Sequence, residues 1–160
     1  MATDAEIEER FWKELEDSPT VMLSIVGERG GIAQPMTVQF EGRSGPLWTF
    51  TSKDTSLART LGQSGQGAVH YVGKGHDLFA TITGRLTVEN DPAVIDSLWN
   101  DTVAAWYPQG RSDPNICLLR FDADEAEIWL HATGIGTALR RAFGADAKEV
   151  QAAQRAKVGI

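Results

Sequence analysis

The sequence of 160 residues is long enough for one domain with a substantial hydrophobic core, without disulfides or a structural metal. Its formal net charge of -7 argues against nucleic acid or an anionic membrane as the main partner, since both require a basic surface. The single cysteine, Cys117, excludes an internal disulfide, and the N-terminus carries neither a basic nor a long apolar segment, so we expect a soluble cytoplasmic protein.

An amphipathic helix is the first predicted element, over about 4–17. Thr3 and Glu6 have the spacing of a capping box, which satisfies backbone amides at a helix start. From Ile7 onwards apolar residues recur every four positions, as on one face of a helix.

Two strands follow, and a third strand then leads into a short helix. Apolar and polar residues alternate over 20–26 and 32–40, with glycines between the two segments. Pro35 cannot donate a ladder hydrogen bond, so it belongs at a sheet edge or bulge, where a ligand can approach the backbone. The third strand begins at Leu47 and returns antiparallel, and the helix covers about 56–61.

The turn from this strand into the helix has the composition of an anion-binding cradle. Thr51, Ser52, Thr55 and Ser56 supply hydroxyls, Lys53 supplies an ammonium group, and the helix start supplies free amides. Serine and threonine are also the usual helix N-cap residues. A phosphate site and an ordinary cap therefore both stay open.

The remaining predicted elements are hairpins with inserted helices. A glycine-rich loop over 62–67 leads into strands over 68–72 and 78–88. One helix begins after Asp91 and ends near Trp99, and a second begins after Asp101 and ends near Trp106. Strands over 115–122 and 125–131, joined by an acidic turn, then precede a helical tail over about 134–157. This pattern indicates a mainly antiparallel barrel or sandwich with helices packed outside. We expect one domain over 1–160.

Few side chains suggest chemistry of their own. His70, His76 and His131 lack the spacing of a metal site, and the serines lack the surroundings of a nucleophile, so we expect neither a metal nor a catalytic residue. Trp99 and Trp106 lie where the helix pair ends in a loop. Core packing and stacking against a planar ligand or a second subunit remain alternatives for them.

Motifs in register from one end of the chain to the other carry a family resemblance. They are Phe11, Trp12 and Leu15; Met22 and Leu23; Pro35 and Met36; 48–55; 73–75; Gly84 with Asp91; and Trp99, Trp106, Pro108, Gly110, Asp113 and Pro114. The chain thereby resembles the general stress protein 26 group of the pyridoxamine 5'-phosphate oxidase-like, FMN-binding split barrels. The resemblance implies a mainly β (α+β) fold, an antiparallel split β-barrel with peripheral helices, and a homodimer with two FMN sites at its interface.

The resemblance also implies which residues bind the cofactor. One subunit is expected to contribute Gln34, Pro35, Met36 and Thr37 from a strand, and Thr49, Phe50, Thr51, Ser52, Lys53, Thr55 and Ser56 from the following strand and turn. The phosphate would lie near the hydroxyls of the turn, and backbone N–H groups on the strand that contains Pro35 and Met36 would polarise the ring. Trp106 and neighbouring loop residues are expected to come from the partner subunit, with Trp129 as a weaker candidate.

Two positions depart from the family pattern, and both remove positive charge. Gln34 stands where relatives commonly have arginine, and Leu57 stands where a lysine often follows the serine of the helix start. A charge-assisted hydrogen bond contributes about 1.5–3 kcal/mol, so both losses together would weaken phosphate binding by about one to several decades unless another cation substitutes. Lys53 is the first candidate for that role, ahead of Arg59 and Arg85, and a lysine at position 57 is expected to strengthen binding.

The resemblance implies a flavin-dependent oxidoreductase of a stress-response type, in which FMN performs the chemistry on a small-molecule redox partner. The alternative from a different class is a dimeric module that binds flavin without turnover, or has lost it. Haem or deazaflavin binding is a third interpretation, and haem would need one of the three histidines as an axial ligand. Oxidation of pyridoxamine phosphate itself is not expected, because the C-terminal strand region has few cations for a second phosphate.

Overall fold

The structure is a computed structural model that describes residues 2–27, 32–43 and 45–131 and the backbone of 154–158. In chain order its elements are α1 (Asp4–Asp17), β1 (Thr20–Ile25), β2 (Gln34–Thr37), β3 (Leu47–Ser52), α2 (Ser56–Leu61), β4 (Ser64–Val72), β5 (Leu78–Val88), α3 (Pro92–Leu98), α4 (Asp101–Trp106), a short 3-10 helix (Gly110–Ser112), β6 (Ile116–Leu130) and β7 (Gln154–Val158).

The helix α1 begins at the capping box that the sequence predicts. The Thr3 amide donates to Glu6 Oε2 at 2.7 Å, and the Glu6 amide donates to Thr3 Oγ1 at 3.3 Å. The apolar face of α1, which includes Phe11 and Trp12, is buried in the main core of the barrel.

The strands pair antiparallel in the order β2, β1, β4, β5, β6, β3. The two ends of this path, β2 and β3, approach each other through a bridge between Gln39 and Trp48, whose backbone groups exchange hydrogen bonds of 2.7 and 2.8 Å. These six strands form a nearly closed antiparallel barrel, which confirms the split barrel that the resemblance implies. The split lies between β2 and β3.

The strands β3 and β6 separate two cores. On one face their side chains, such as Leu47 and Leu119, join the main core. On the opposite face α3 and α4 enclose a second cluster of buried residues, namely Ile95, Leu98, Val103, Tyr107, Ile116 and Leu118. This second core holds α4 beside the end of β3, at the split.

The strand β6 is continuous, and the prediction of two strands joined by an acidic turn is wrong. β5 pairs with β6 from Leu78 to Val88, and the register shifts between Thr83 and Gly84. Asp124 is the extra residue at this bulge, and its side chain is exposed. An acidic residue can therefore lie within the strand because the bulge leaves it in solvent.

Two further predictions are corrected. β4 begins at Ser64 and includes Gly67, where a Cβ would lie 3.3 Å from both Leu86 and Phe121, so the glycine permits close packing rather than a loop. Residues 154–157, predicted as the end of a helical tail, belong to β7, which pairs with the half of β6 that β3 leaves open. The rest of the predicted tail lies outside the described residues.

The substitution Gly84→Ala is expected to lower the free energy of unfolding by about 2–3 kcal/mol. A Cβ at this position would overlap the Asp122 carbonyl oxygen and lie 2.9 Å from Ala123 Cα, and these backbone atoms cannot move without disturbing the ladder. Urea unfolding measures the change. Gly65→Ala is the matched control, because its Cβ would lie 3.4 Å from the side-chain atom Leu61 Cδ1. Equal losses in the two variants would contradict the prediction.

Candidate functional site

The split between β2 and β3 opens into a groove with a volume of about 370 Å3. It is lined by Gln34, Pro35, Met36, Thr37, Gln39, Phe50, Thr51, Ser52, Thr55, Asn100, Thr102, Val103, Trp106 and Tyr107. The β2 segment, the turn from β3 into α2, and α4 with its flanking residues each supply one wall.

The β2 wall offers a backbone amide at Thr37. The Val38 amide donates to Pro19 O at 2.9 Å, which fixes the alternation of the ladder between β1 and β2. Because backbone groups of an antiparallel strand alternate in direction, those of Met36 face β1, and those of Pro35 and Thr37 face the split. Proline has no N–H, so the amide that this strand makes available at the split is that of Thr37.

Two side-chain hydrogen bonds cross the split. The Thr49 hydroxyl donates to Thr37 O at 2.9 Å, and Gln34 Nε2 donates to Ser56 Oγ at 2.8 Å. Gln34, one of the two departures from the family pattern, therefore connects β2 to the start of α2. These bonds hold the walls together where no strand ladder does.

The turn from β3 into α2 contains a chain of hydroxyl contacts. Thr55 Oγ1 donates to Ser52 O at 2.8 Å and accepts from the Ala58 amide at 3.3 Å, and it lies 3.3 Å from Thr51 Oγ1. Thr55 is the N-cap of α2, so the cap interpretation of this sequence is confirmed for that residue. α2 has only six residues, so side chains must supply most of the charge for any anion bound here.

The third wall is built by α4. Its N-cap is Asn100, one residue earlier than predicted, and Asn100 Oδ1 accepts from the Val103 amide at 2.9 Å. Trp106 ends the helix with 78% of its surface exposed at the groove. The next residue, Tyr107, is buried, and its hydroxyl donates to Thr51 O at 2.7 Å.

Nine of the twelve residues predicted to bind the cofactor line this groove. Of the other three, Thr49 is buried and its hydroxyl donates to Thr37 O across the split. The Ser56 hydroxyl accepts from the side-chain amide of Gln34, and Lys53 has an exposed side chain at the turn. Trp106 lies in the groove of the same chain, although it was expected from a partner subunit.

Five lining residues were missed from the sequence: Gln39, Asn100, Thr102, Val103 and Tyr107. Four of them belong to α4 or its ends, where the resemblance named Trp106 and otherwise only unspecified neighbouring loop residues. Residues three and four positions apart share a helix face, so Thr102 and Val103 lie on the same side of α4 as Trp106. That spacing is the sequence signal that could have found them.

Among the described lining residues, Tyr107 is the titratable one, and burial raises its pKa above the ordinary value. Burial also raises the pKa of the Cys117 thiol on the neighbouring strand, and the charge of Lys53 opposes this effect. Both groups therefore stay protonated near neutral pH. The described lining offers no side chain prepared for acid–base or nucleophilic catalysis.

The second departure from the family pattern has a structural explanation. Leu57 is only 5% exposed and belongs to the main core. A lysine there would place an ammonium group among apolar side chains, which corrects the expectation that it would strengthen binding.

Arg85 donates to Ser64 Oγ at 3.0 Å, on the far pair of strands β4 and β5, whereas Arg59 is exposed on α2. Lys53 and Arg59 are therefore the cations adjacent to the turn.

Other kinds of site are not indicated in the part of the chain that the structure describes. No described helix is both long and apolar enough to span a membrane. No group of three or more histidine, cysteine, aspartate or glutamate residues is placed there to hold a metal ion. His70, His76 and His131 lie outside the groove lining.

Comparisons with known proteins identify relatives. The model of the family described as pyridoxamine 5'-phosphate oxidase like matches residues 6–150. The general stress FMN/FAD binding protein of Xanthomonas citri is 51% identical, with 82% of this chain and 93% of that chain covered and a TM-score of 0.76. A general stress family protein of Xanthomonas campestris pv. campestris is 50% identical, the match covers 84% of this chain and 94% of that chain, and the TM-score is 0.76. A general stress protein 26 of Jannaschia sp. CCS1 is 29% identical, the match covers 98% of this chain and 99% of that chain, and the TM-score is 0.78. No curated protein matches the chain.

Proposed function

The chain belongs to the pyridoxamine 5'-phosphate oxidase-like family, and we propose that it is an FMN-binding homodimer that acts as a flavin-dependent oxidoreductase of a stress-response type. The observation that carries the proposal is the groove at the split, which combines a hydroxyl-rich turn with an aromatic wall. The Xanthomonas citri relative is an FMN/FAD binding protein, which supports a flavin as the ligand.

The residues of the groove fit the chemical parts of FMN. Met36, Phe50 and Trp106 offer apolar and aromatic surface to a planar ring system, and the Thr37 amide offers a donor to its polar edge. The Ser52 hydroxyl, in the turn, offers a donor to the phosphate end. This is the combination of a mostly apolar slot and a few placed polar groups that a cofactor site requires.

Lys53 is the residue that we assign to the phosphate. Its side chain is exposed at the turn, and within the described residues it takes part in no ion pair. An ammonium group that forms a charge-assisted hydrogen bond to phosphate contributes about 1.5–3 kcal/mol. Arg59, in the last turn of α2, is the second available cation.

Bound FMN would supply hydride and electron transfer, which protein side chains do not provide. The chain's own residues bind and orient the flavin, since Tyr107 is the titratable group of the described lining and its hydroxyl already donates to Thr51 O. Trp106 and α4 exclude water from one side of the groove. We therefore assign no catalytic side chain.

A second subunit would complete the site. Trp106 is 78% exposed beside the groove, and the other large apolar side chains exposed in the described part of the chain, Met22, Val26, Ile32 and Val72, do not line the groove. Exposed apolar surface next to a ligand groove is typical of an interaction face. A homodimer that covers this surface would also cover the open side of the groove.

A flavin-binding module without turnover is the second candidate function. The cation-poor lining and the lack of a catalytic side chain among the described lining residues favour it. Deazaflavin would use the same ring-binding surface, whereas haem would need an axial ligand that the three histidines, outside the groove, do not place there.

The purified protein is expected to bind FMN, and Lys53→Ala is expected to weaken binding by about tenfold or more, because a charge-assisted contact is lost. Isothermal titration or quenching of FMN fluorescence measures the dissociation constant. Lys74→Ala is the control, since Lys74 is an exposed lysine at the hairpin between β4 and β5. A protein that does not bind FMN would refute the proposed function, and equal affinities of the two variants would place the phosphate elsewhere.

Sedimentation equilibrium is expected to give twice the chain mass of 17.4 kDa, with one FMN bound per chain. The reason is that the Trp106 side chain, largely exposed at the groove, is apolar surface that a second subunit would bury. A monomer that binds FMN with full affinity would contradict a site at a subunit interface.

Under anaerobic conditions, NADH or NADPH is expected to bleach the visible absorbance of protein-bound FMN, and dioxygen is expected to restore it. Free FMN at the same concentration is the control. If bound FMN is reduced no faster than free FMN, the binding module without turnover replaces the oxidoreductase as the better function.

A further inference from the structure

We propose that Tyr107 is a positioning residue of the flavin site. Its hydroxyl fixes α4 against the end of β3, and thereby sets the distance between the aromatic wall and the hydroxyl-rich turn. This inference rests on the proposed function, and it assigns Tyr107 no part in the chemistry.

The ring of Tyr107 is held by the second core. Its side chain is 5% exposed, and its ring centroid lies 6.3 Å from that of Phe50 and 6.2 Å from that of Trp99. Phenylalanine would keep these contacts, since it has the same ring. Tyr107→Phe therefore keeps these ring contacts and removes only the hydrogen bond of the hydroxyl group.

The hydroxyl group makes a separate connection. It donates at 2.7 Å to Thr51 O, although Thr51 already pairs with Cys117 in the ladder between β3 and β6. A carbonyl oxygen has two lone pairs, so the bond adds a tie from α4 without replacing a strand contact. The hydroxyl oxygens of Thr51 and Thr55 lie 3.3 Å apart, and Thr55 is at the start of α2. One residue of β3 thus links Tyr107 to the turn proposed for the phosphate.

Trp106 is positioned by the same anchor. The Tyr107 amide donates to Ala104 O at 3.2 Å, and the Gly110 amide donates to Tyr107 O at 2.9 Å, so the backbone on both sides is fixed. Trp106 itself is 78% exposed, so little of its surface is packed against the rest of the protein. The location of its ring at the groove therefore depends on its neighbour.

Tyr71 provides a matched control for Tyr107. It is also buried, and its hydroxyl donates to the carbonyl oxygens of Glu14 and Ser18 at 2.9 and 3.0 Å. Burial raises the pKa of Tyr71 to about 12, so it too stays neutral. Tyr71 does not line the groove. Each Tyr→Phe variant removes one buried hydroxyl, but only one of these hydroxyls connects the walls of the proposed site.

FMN titration of the wild type, Tyr107→Phe and Tyr71→Phe tests the inference. Tyr107→Phe is expected to raise the FMN dissociation constant by about tenfold and to change the visible circular dichroism of bound FMN, because the ring and phosphate ends of the site lose their fixed spacing. Tyr71→Phe is expected to change the dissociation constant by less than about twofold, since distant sites act independently. Thermal unfolding of both variants separates this effect from a general loss of stability.

The outcomes distinguish the inference from the proposed function. If the wild type does not bind FMN, the proposed function fails and the inference fails with it. If the wild type binds FMN and both variants match it in affinity and circular dichroism, the inference alone is overturned. Hydrogen exchange of the wild type is a measurement that needs no variant: FMN is expected to slow exchange near Tyr107 and at the end of β3, and exchange unchanged in both segments would also overturn the inference.

Discussion

The incomplete closure between β2 and β3 is the constraint on which the rest of the site depends. One bridge, between Gln39 and Trp48, joins the two ends of the sheet path, and beyond it the strand edges diverge. Strand edges expose backbone groups that need partners. Side-chain hydroxyls supply some of them, as the bond from Thr49 to Thr37 O shows. The groups that remain, such as the Thr37 amide, are free to meet a ligand.

Two features keep the split open. Pro35 faces it and has no N–H, so a ladder between β2 and β3 cannot continue past this position. On the other side, the second core fixes α4 beside β3, so that Trp106 and Tyr107 line the groove. The opening is therefore built into the sequence, and the groove does not depend on a chance gap in packing.

Local patterns in the sequence predicted the elements that form two walls of the site, β2 and the turn from β3 into α2. Pro35 indicated an edge strand, and the run of hydroxyl residues ending at Thr55 indicated a helix start, because proline and N-cap residues act through their own backbone or their nearest neighbours. The helix α4 and the place of Trp106 at the groove were predicted, but the contact of Tyr107 with Thr51 was not, since it joins residues 56 positions apart and leaves no local pattern. The orientation of Leu57 was missed for the same reason: only the packed core shows that it faces inward.

The position of β3 in the sheet also has a consequence for folding. The ladder partner of β3 is β6, the sixth strand in the chain. A ribosome-bound chain that ends before Ile116 therefore contains β3 and the hydroxyl-rich turn, but not the strand with which β3 pairs. Pairings that join distant parts of a chain form late, because the intervening loop must first lose its conformational freedom. Until β6 is synthesised, β3 is an apolar edge exposed to intermolecular pairing. The proposed flavin site is therefore complete only after β6 has been added, and the earlier strands must fold through their own local pairings.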